Sequence, residues 1–166
     1  MKTLDNILNL IKSENIILEE YKNLKINKGV YLNIPTLFNN PIIGVSPNLI
    51  NYHKEFNSIL AEELGHHFTT YKNLIKKPKN YYEEVQNSKK EMAARRWAAN
   101  YMISNNDFIK ALNDCMYNIY NMSEYFDITE ELIKYKVKAI TLDENLYIDI
   151  KSKFKLNEVP YMCCNI

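Results

Sequence analysis

"SILAEELGHHFTT", residues 58–70, is the stretch on which the reading of this chain turns. Residues 62–66 run Glu-Glu-Leu-Gly-His. That differs by one residue from His-Glu-x-x-His, a helical pattern that sets two metal ligands one turn apart with a general base between them. The base has its counterpart in Glu63 and the second ligand in His66. Glu62 stands where the first histidine belongs.

At ~100° per residue, Phe56, Leu60, Leu64, His67, Phe68 and Tyr71 share one side of a helix. They form the expected core stripe, with Glu63 toward its edge. Glu62 and His66 fall together on the opposite side, so both point at a common spot away from that core. Ser58, Ala61 and Gly65 lie beside the pair and would let another element come close. A mid-helix glycine costs ~1 kcal/mol relative to alanine, and a close neighbour or a ligand would give that cost a purpose. Taken alone, Glu62 and His66 read equally as a surface i,i+4 pair. His67 reads as a core histidine, and His53 as a capping or fraying residue.

A catalytic zinc needs three protein ligands. The third candidate is in "NSKKEMAARRWAANYM", residues 87–102. Glu91, Ala94, Ala98 and Tyr101 share one helical face, and the alanines would let it press on the Ala61/Gly65 side of the first helix. Glu91 then reads either as the third ligand or as the far end of a capping box with Ser88. Spacing does not separate the two. Glu83, Glu84 and Asp107 are weaker substitutes, better read as solvated. Arg95 and Arg96 fall off that face or on its flank, as surface or salt-bridge residues.

The rest of the chain reads as α+β and rich in helix. Residues 4–23 carry Leu4, Ile7, Leu8, Ile11, Ile16, Ile17 and Leu18, the period of one helix or two short ones. "GVYLNIP" (29–35) and "PIIGVSPNL" (41–49) read as strands around a turn at "LFNNP". Helices follow over about 53–71, 88–103 and 106–120, with Pro78 in a polar connection. Residues 123–140 read as two short helices, with Thr129 as an N-cap. "LYIDIKSKF" (146–154) alternates and suggests a final strand.

The 166 residues suit one domain, 1–166, and 46 % hydrophobic content is enough for a core. The net charge is +1, from 21 basic and 20 acidic residues, so no electrostatic footprint for nucleic acid or an anionic membrane is present. The first twenty residues lack the unbroken apolar core of a signal peptide, and no later run is long enough to span a bilayer. Cytoplasm is the expected location. Cys115, Cys163 and Cys164 make no disulfide framework and read as reduced thiols.

"LAEELGHHFT" followed about twenty residues later by "E-x-x-A-x-x-W-A" resembles the ImmA/IrrE family of metallopeptidases. The resemblance runs over about residues 29–140. It implies a small zincin-like fold, a short N-terminal sheet followed by helices that carry the active site. It implies Glu63 as general base and Glu62, His66 and Glu91 as metal ligands, with Glu62 replacing a histidine found in many relatives. The metal it implies is Zn²⁺. A Glu-His-Glu set is harder and more anionic than His-His-Glu, which makes Mn²⁺ or Fe²⁺ more competitive and weakens the ion as a Lewis acid. The implied substrate is a helix-turn-helix repressor of a phage or mobile element, a separate protein because this chain has no room for a DNA-binding domain. The helix pair at 123–140 is of mixed charge and reads as packing or protein contact. The alternative is a weak or inactive relative that binds a repressor stoichiometrically.

Overall fold

The computed structural model describes residues 2–22, 24, 28–70 and 79–154. Tyr71, Pro78, Cys163 and Cys164 lie outside these residues.

Helix α1 (Leu4–Ser13) opens where the Thr3 N–H donates to Asn6 Oδ1 at 2.9 Å, and it buries Ile7 and Ile11. It does not continue as the apolar spacing suggested. Asn15 takes a left-handed conformation, φ 54°, and turns the chain into strand β1 (Ile17–Glu20). The second apolar group of the 4–23 segment is therefore a strand, because Ile17 and Leu18 find backbone partners in a neighbouring strand.

Strands β2 (Gly29–Leu32) and β3 (Ile42–Val45) fall inside the two β-branched segments. The sheet order is β1-β3-β2. β3 runs parallel to β1, with Ile17 opposite Ile42, and antiparallel to β2, with Gly29 opposite Val45. All four residues of β3 are buried, so the central strand is covered on both faces. A 3₁₀ turn, Pro47–Asn51, takes up the rest of the second segment and leads into α2 (His53–Thr69).

α2 is the axis of the fold. Leu60 and Leu64 are fully buried in the main core, as the wheel anticipated. The opposite side is not free, however. Ala61 and Gly65 lie against α3 (Tyr81–Met102), and a Cβ placed on Gly65 would sit 2.3 Å from the backbone oxygen of Ala94. The glycine is there because two helix backbones touch. Phe68, assigned to the core stripe, is instead 41 % exposed and stacks on Trp97 at 4.7 Å between ring centroids.

α3 begins seven residues before the expected start. The Asn80 side chain accepts the Glu83 N–H at 2.9 Å and caps it. Ser88 is therefore inside the helix, and the capping-box reading of Ser88 and Glu91 fails. The expected 106–120 helix is two pieces, α4 (Asn105–Asn113) and the start of α5 (Ile119–Phe126), parted where Cys115 adopts φ 64°. Thr129 caps α6 (Glu130–Thr141) by accepting the Leu132 N–H. The expected last strand is a helix, α7 (Glu144–Lys153). Asp143 caps it, and Leu146 and Ile150, one turn apart, meet the core.

Two buried polar residues of α2 fasten the corner between α5 and α6. Ser58 Oγ accepts the Thr129 N–H at 2.8 Å, and Asn57 Nδ2 donates to the Asp127 backbone oxygen and carboxylate at 3.0 and 2.9 Å. On the far side of α6, Lys136 is 1 % exposed and donates to Asn100 and Asn105 at 2.9 and 2.7 Å, while burial lowers its pKa to about 8.

The Gly65–Ala94 contact makes a prediction whose sign is diagnostic. In an open helix, Gly→Ala adds roughly 1 kcal/mol of stability. Here the methyl would meet fixed backbone, and overpacking costs about 1–3 kcal/mol. Gly65→Ala should lower the melting temperature by several degrees; a rise would show that the helices are not in contact.

Candidate metal centre

The side chains singled out in the sequence lie along the seam between α2, α3 and the edge strand β2. His66 is 8 % exposed, so the surface-pair reading of Glu62 and His66 does not hold. Its Nδ1 lies 3.4 Å from Thr70 Oγ1, one turn on. Its Nε2 faces α3 and is 3.4 Å from Glu91 Oε2. Gly65 permits this: with α3 pressed against α2, Glu91 reaches across to His66 from one turn before Ala94.

Glu63 points the other way round the helix, toward β2. A Cβ on Gly29 would stand 2.7 Å from Glu63 Oε1 and 2.4 Å from Ile59 Cγ2. Gly29 thus leaves the space that the carboxylate fills, and a backbone hydrogen bond from Tyr31 reaches it. Burial is the main influence on this acid and raises its pKa; the charges of Glu62 and Glu91 raise it further, and His66 and the Tyr31 bond oppose them. The outcome is about 7 in the metal-free protein.

For His66, burial works against the imidazolium, but the contact with Glu91 and the charges of Glu63, Glu91 and Glu62 outweigh it and raise the pKa. Glu91 is held below the usual carboxylate range, first by its contact with His66.

Glu62 is placed differently. Its Oε2 lies 3.3 Å from Arg95 Nε, on α3. Arg95 Nη1 in turn donates to Glu131 Oε1 at 2.7 Å, and the guanidinium sits 5.7 Å from the centroid of the Tyr135 ring. Arg95 therefore belongs to the salt-bridge class expected of it, but it lies within the centre rather than apart from it. Sequence reasoning missed Gly29, Arg95 and Glu131. A glycine inside a strand is a signal of close approach and could have marked Gly29. Arg95 is one turn beyond Glu91, yet its partners Glu62 and Glu131 come from two other helices, and no local pattern joins them.

His67 takes the structural role read for it. Its Nδ1 is 2.8 Å from the Tyr31 hydroxyl and its Nε2 is 3.4 Å from Glu14, linking α2 to β2 and α1. His53 is exposed at the first position of α2. Glu83 accepts the Lys79 backbone N–H, and Asp107 bonds its own cap residue, Ser104.

Among the described residues no three His, Cys, Asp or Glu side chains stand together in ligating position, and Glu62 is paired with Arg95. The donor chemistry nevertheless suits a divalent ion. Two ligand atoms ~2.0–2.1 Å from a tetrahedral zinc are ~3.4 Å apart. His66 Nε2 and Glu91 Oε2 already have that separation. Arg95 Nε is buried with no hydrogen-bond acceptor despite its ion pair, so the Glu62–Arg95 geometry is not at its optimum.

A helix backed by a small sheet thus bears two acids and a histidine at this spacing, and the next helix brings a further acid to the histidine. The family model for the peptidase M78, IrrE N-terminal-like domain matches residues 17–138, and the chain belongs to that ImmA/IrrE family. Comparison with curated proteins and with solved structures finds no match.

The raised Glu63 and His66 pKa values give the metal-free protein a defined pH dependence. An acid whose folded pKa exceeds its unfolded value destabilises the fold only once it ionises. For Glu63 the cost is absent below about pH 4.5, grows from there to pH 7 and is complete above it. His66 acts in the same sense, its stabilisation being lost as pH rises. At ~1.4 kcal/mol per pKa unit, Glu63→Gln should stabilise the metal-free protein by about 3 kcal/mol at pH 8 and by about 1 kcal/mol or less at pH 5. Thermal melts in chelator across that range test it, and a gain independent of pH would contradict it.

Proposed function

We propose that this protein is a metal-dependent endopeptidase that cleaves a separate helix-turn-helix repressor and so releases a phage or mobile element from repression. Glu62, His66 and Glu91 are the residues that would hold the ion. Zn²⁺ is the first choice, with Mn²⁺ or Fe²⁺ as competitors for so acidic a set. The ion would polarise the scissile carbonyl as a Lewis acid. Glu63 is the general base: it takes a proton from the attacking water and passes it to the departing amine nitrogen. The observation that carries this reading is the placement of Glu63, a buried carboxylate lodged against Gly29 one turn before the histidine of the motif, in a chain of the peptidase M78 family. Burial raises its pKa, and a carboxylate of raised pKa is the stronger base for accepting and returning a proton.

The protein would act on protein and make no direct contact with nucleic acid. Among the described residues no helix is long and apolar enough to cross a membrane, and cytoplasm is the location that fits a repressor substrate. α5 and α6, which cover the helix pair read at 123–140, bury Phe126, Leu132 and Ile133 against the core, which suits packing rather than groove binding.

The test is cleavage of the cognate repressor by purified protein supplied with each metal in turn. A discrete fragment pair is expected, lost on chelation. Glu63→Gln should slow cleavage at least about 100-fold while metal content stays unchanged. The engagement of Glu62 with Arg95 favours a second reading, stoichiometric repressor binding without cleavage. Complex formation without fragments, indifferent to chelator and to Glu63→Gln, would establish that reading instead.

A further inference from the structure

We propose that Arg95 is the positioning residue that lets a carboxylate serve at position 62, where the motif otherwise has histidine. The inference rests on the metal-site reading above. It starts from charge. Glu91 lies 3.4 Å from His66, and Glu62 and Glu63 act on that imidazole electrostatically. A Glu-His-Glu set carries one negative charge more than His-His-Glu. Arg95 and His66 favour the Glu62 anion, and Glu131 and Glu91 act on it in the opposite sense. Arg95 stands 3.3 Å from the Glu62 carboxylate and offsets part of the charge that the substitution added, the rest of its own charge being taken up by Glu131 at 2.7 Å.

Geometry adds a second argument. A carboxylate has two oxygens, so one can rest on the guanidinium while the other faces an ion. Ligating carboxylates are commonly held in this way by hydrogen bonds from behind. Arg95 is itself fixed for the task, with Nη1 on Glu131 at 2.7 Å and within 3.4 Å of the Tyr135 hydroxyl. Its Nε is the free end of the fork: buried, directed to Glu62, and without a completed hydrogen bond. A modest reorientation of the Glu62 carboxylate would complete that bond. Lysine could supply the charge but could not hold Glu131 and Glu62 from one planar group. A histidine at position 62 would have no use for the guanidinium, and the two positions should therefore be energetically coupled.

The experiment is a double-mutant cycle read as metal affinity. Four full-length proteins are compared: wild type, Arg95→Gln, Glu62→His, and the two combined. Zn²⁺ affinity is measured by competition with a chromophoric chelator, Co²⁺ absorption reports the coordination, and circular dichroism confirms folding. Arg95→Gln is expected to weaken Zn²⁺ binding about 10- to 100-fold when Glu62 is present. It should change binding less than about threefold in the Glu62→His protein, at the limit of ordinary additivity. Arg95→Lys, which keeps charge and most of the volume, should recover only part of the loss and guards against a variant that fails to fold. Equal losses in both backgrounds, or no loss in either, would overturn the proposal and leave Arg95 as a clip between α3 and α6. Tight binding only when Glu62→His is present would also overturn it while preserving the metal site. If none of the four binds near one equivalent of Zn²⁺, Mn²⁺ or Fe²⁺, the metal-site reading itself falls and takes this inference with it.

Discussion

The arrangement of the candidate centre depends on how near α2 lies to α3. At Gly65 and Ala94 the two backbones leave no room for a methyl group. That approach carries Glu91 across the seam to His66 and brings Arg95 to Glu62. Any side chain at position 65 would act as a spacer and move both pairs at once. The aromatic stack of Phe68, Trp97 and Tyr101 runs along the same seam, with centroids 4.7 and 5.0 Å apart, and braces it beyond the glycine. A second approach, between Gly29 and Glu63, sets the opposite flank. Two of the chain's three glycines are thus spent on bringing the acids of this centre into place.

The electrostatics follow from that crowding. Three carboxylates and one imidazole share a partly buried seam, and the first effect on Glu62, Glu63 and His66 is loss of water. Only Glu91, which retains more solvent and has both His66 and Arg95 nearby, is favoured as an anion. Without a metal, the seam holds more acid than it can comfortably ionise. A divalent cation would relieve that condition and a neutral ligand would not.

The sequence made the α2–α3 seam legible because its cues are local and discrete: a glycine in mid-helix, alanines three to four residues apart, and an acid on their face. The two strands of the 29–45 region showed themselves through β-branched residues bounded by Gly and Pro. β1 was hidden because Ile16, Ile17 and Leu18 continue a helical period that starts at Leu4, and a single left-handed residue, Asn15, ends the helix. α7 was hidden because nine residues with apolar positions at 146, 148 and 150 fit both a strand and a helix. The start of α3 was misplaced because Ser88 and Glu91 imitate a helix start that Asn80 in fact provides. Arg95 was read only by its own helix wheel. Its role depends on Glu62 and Glu131, more than thirty residues away in either direction.

The bonds from Asn57 and Ser58 to residues 127–129 bear on how the protein comes into being. Both polar side chains sit under the motif helix and find their partners some seventy residues later in the chain. Until α5 and α6 have left the ribosome, α2 has a helical sequence but an unsealed underside, with buried-type polar groups still bonded to water. The underside of that helix can be sealed only once residues 127–129 are in place. Helix propensity alone therefore does not finish α2: its polar underside is closed by a long-range contact, of the kind that orders slowly.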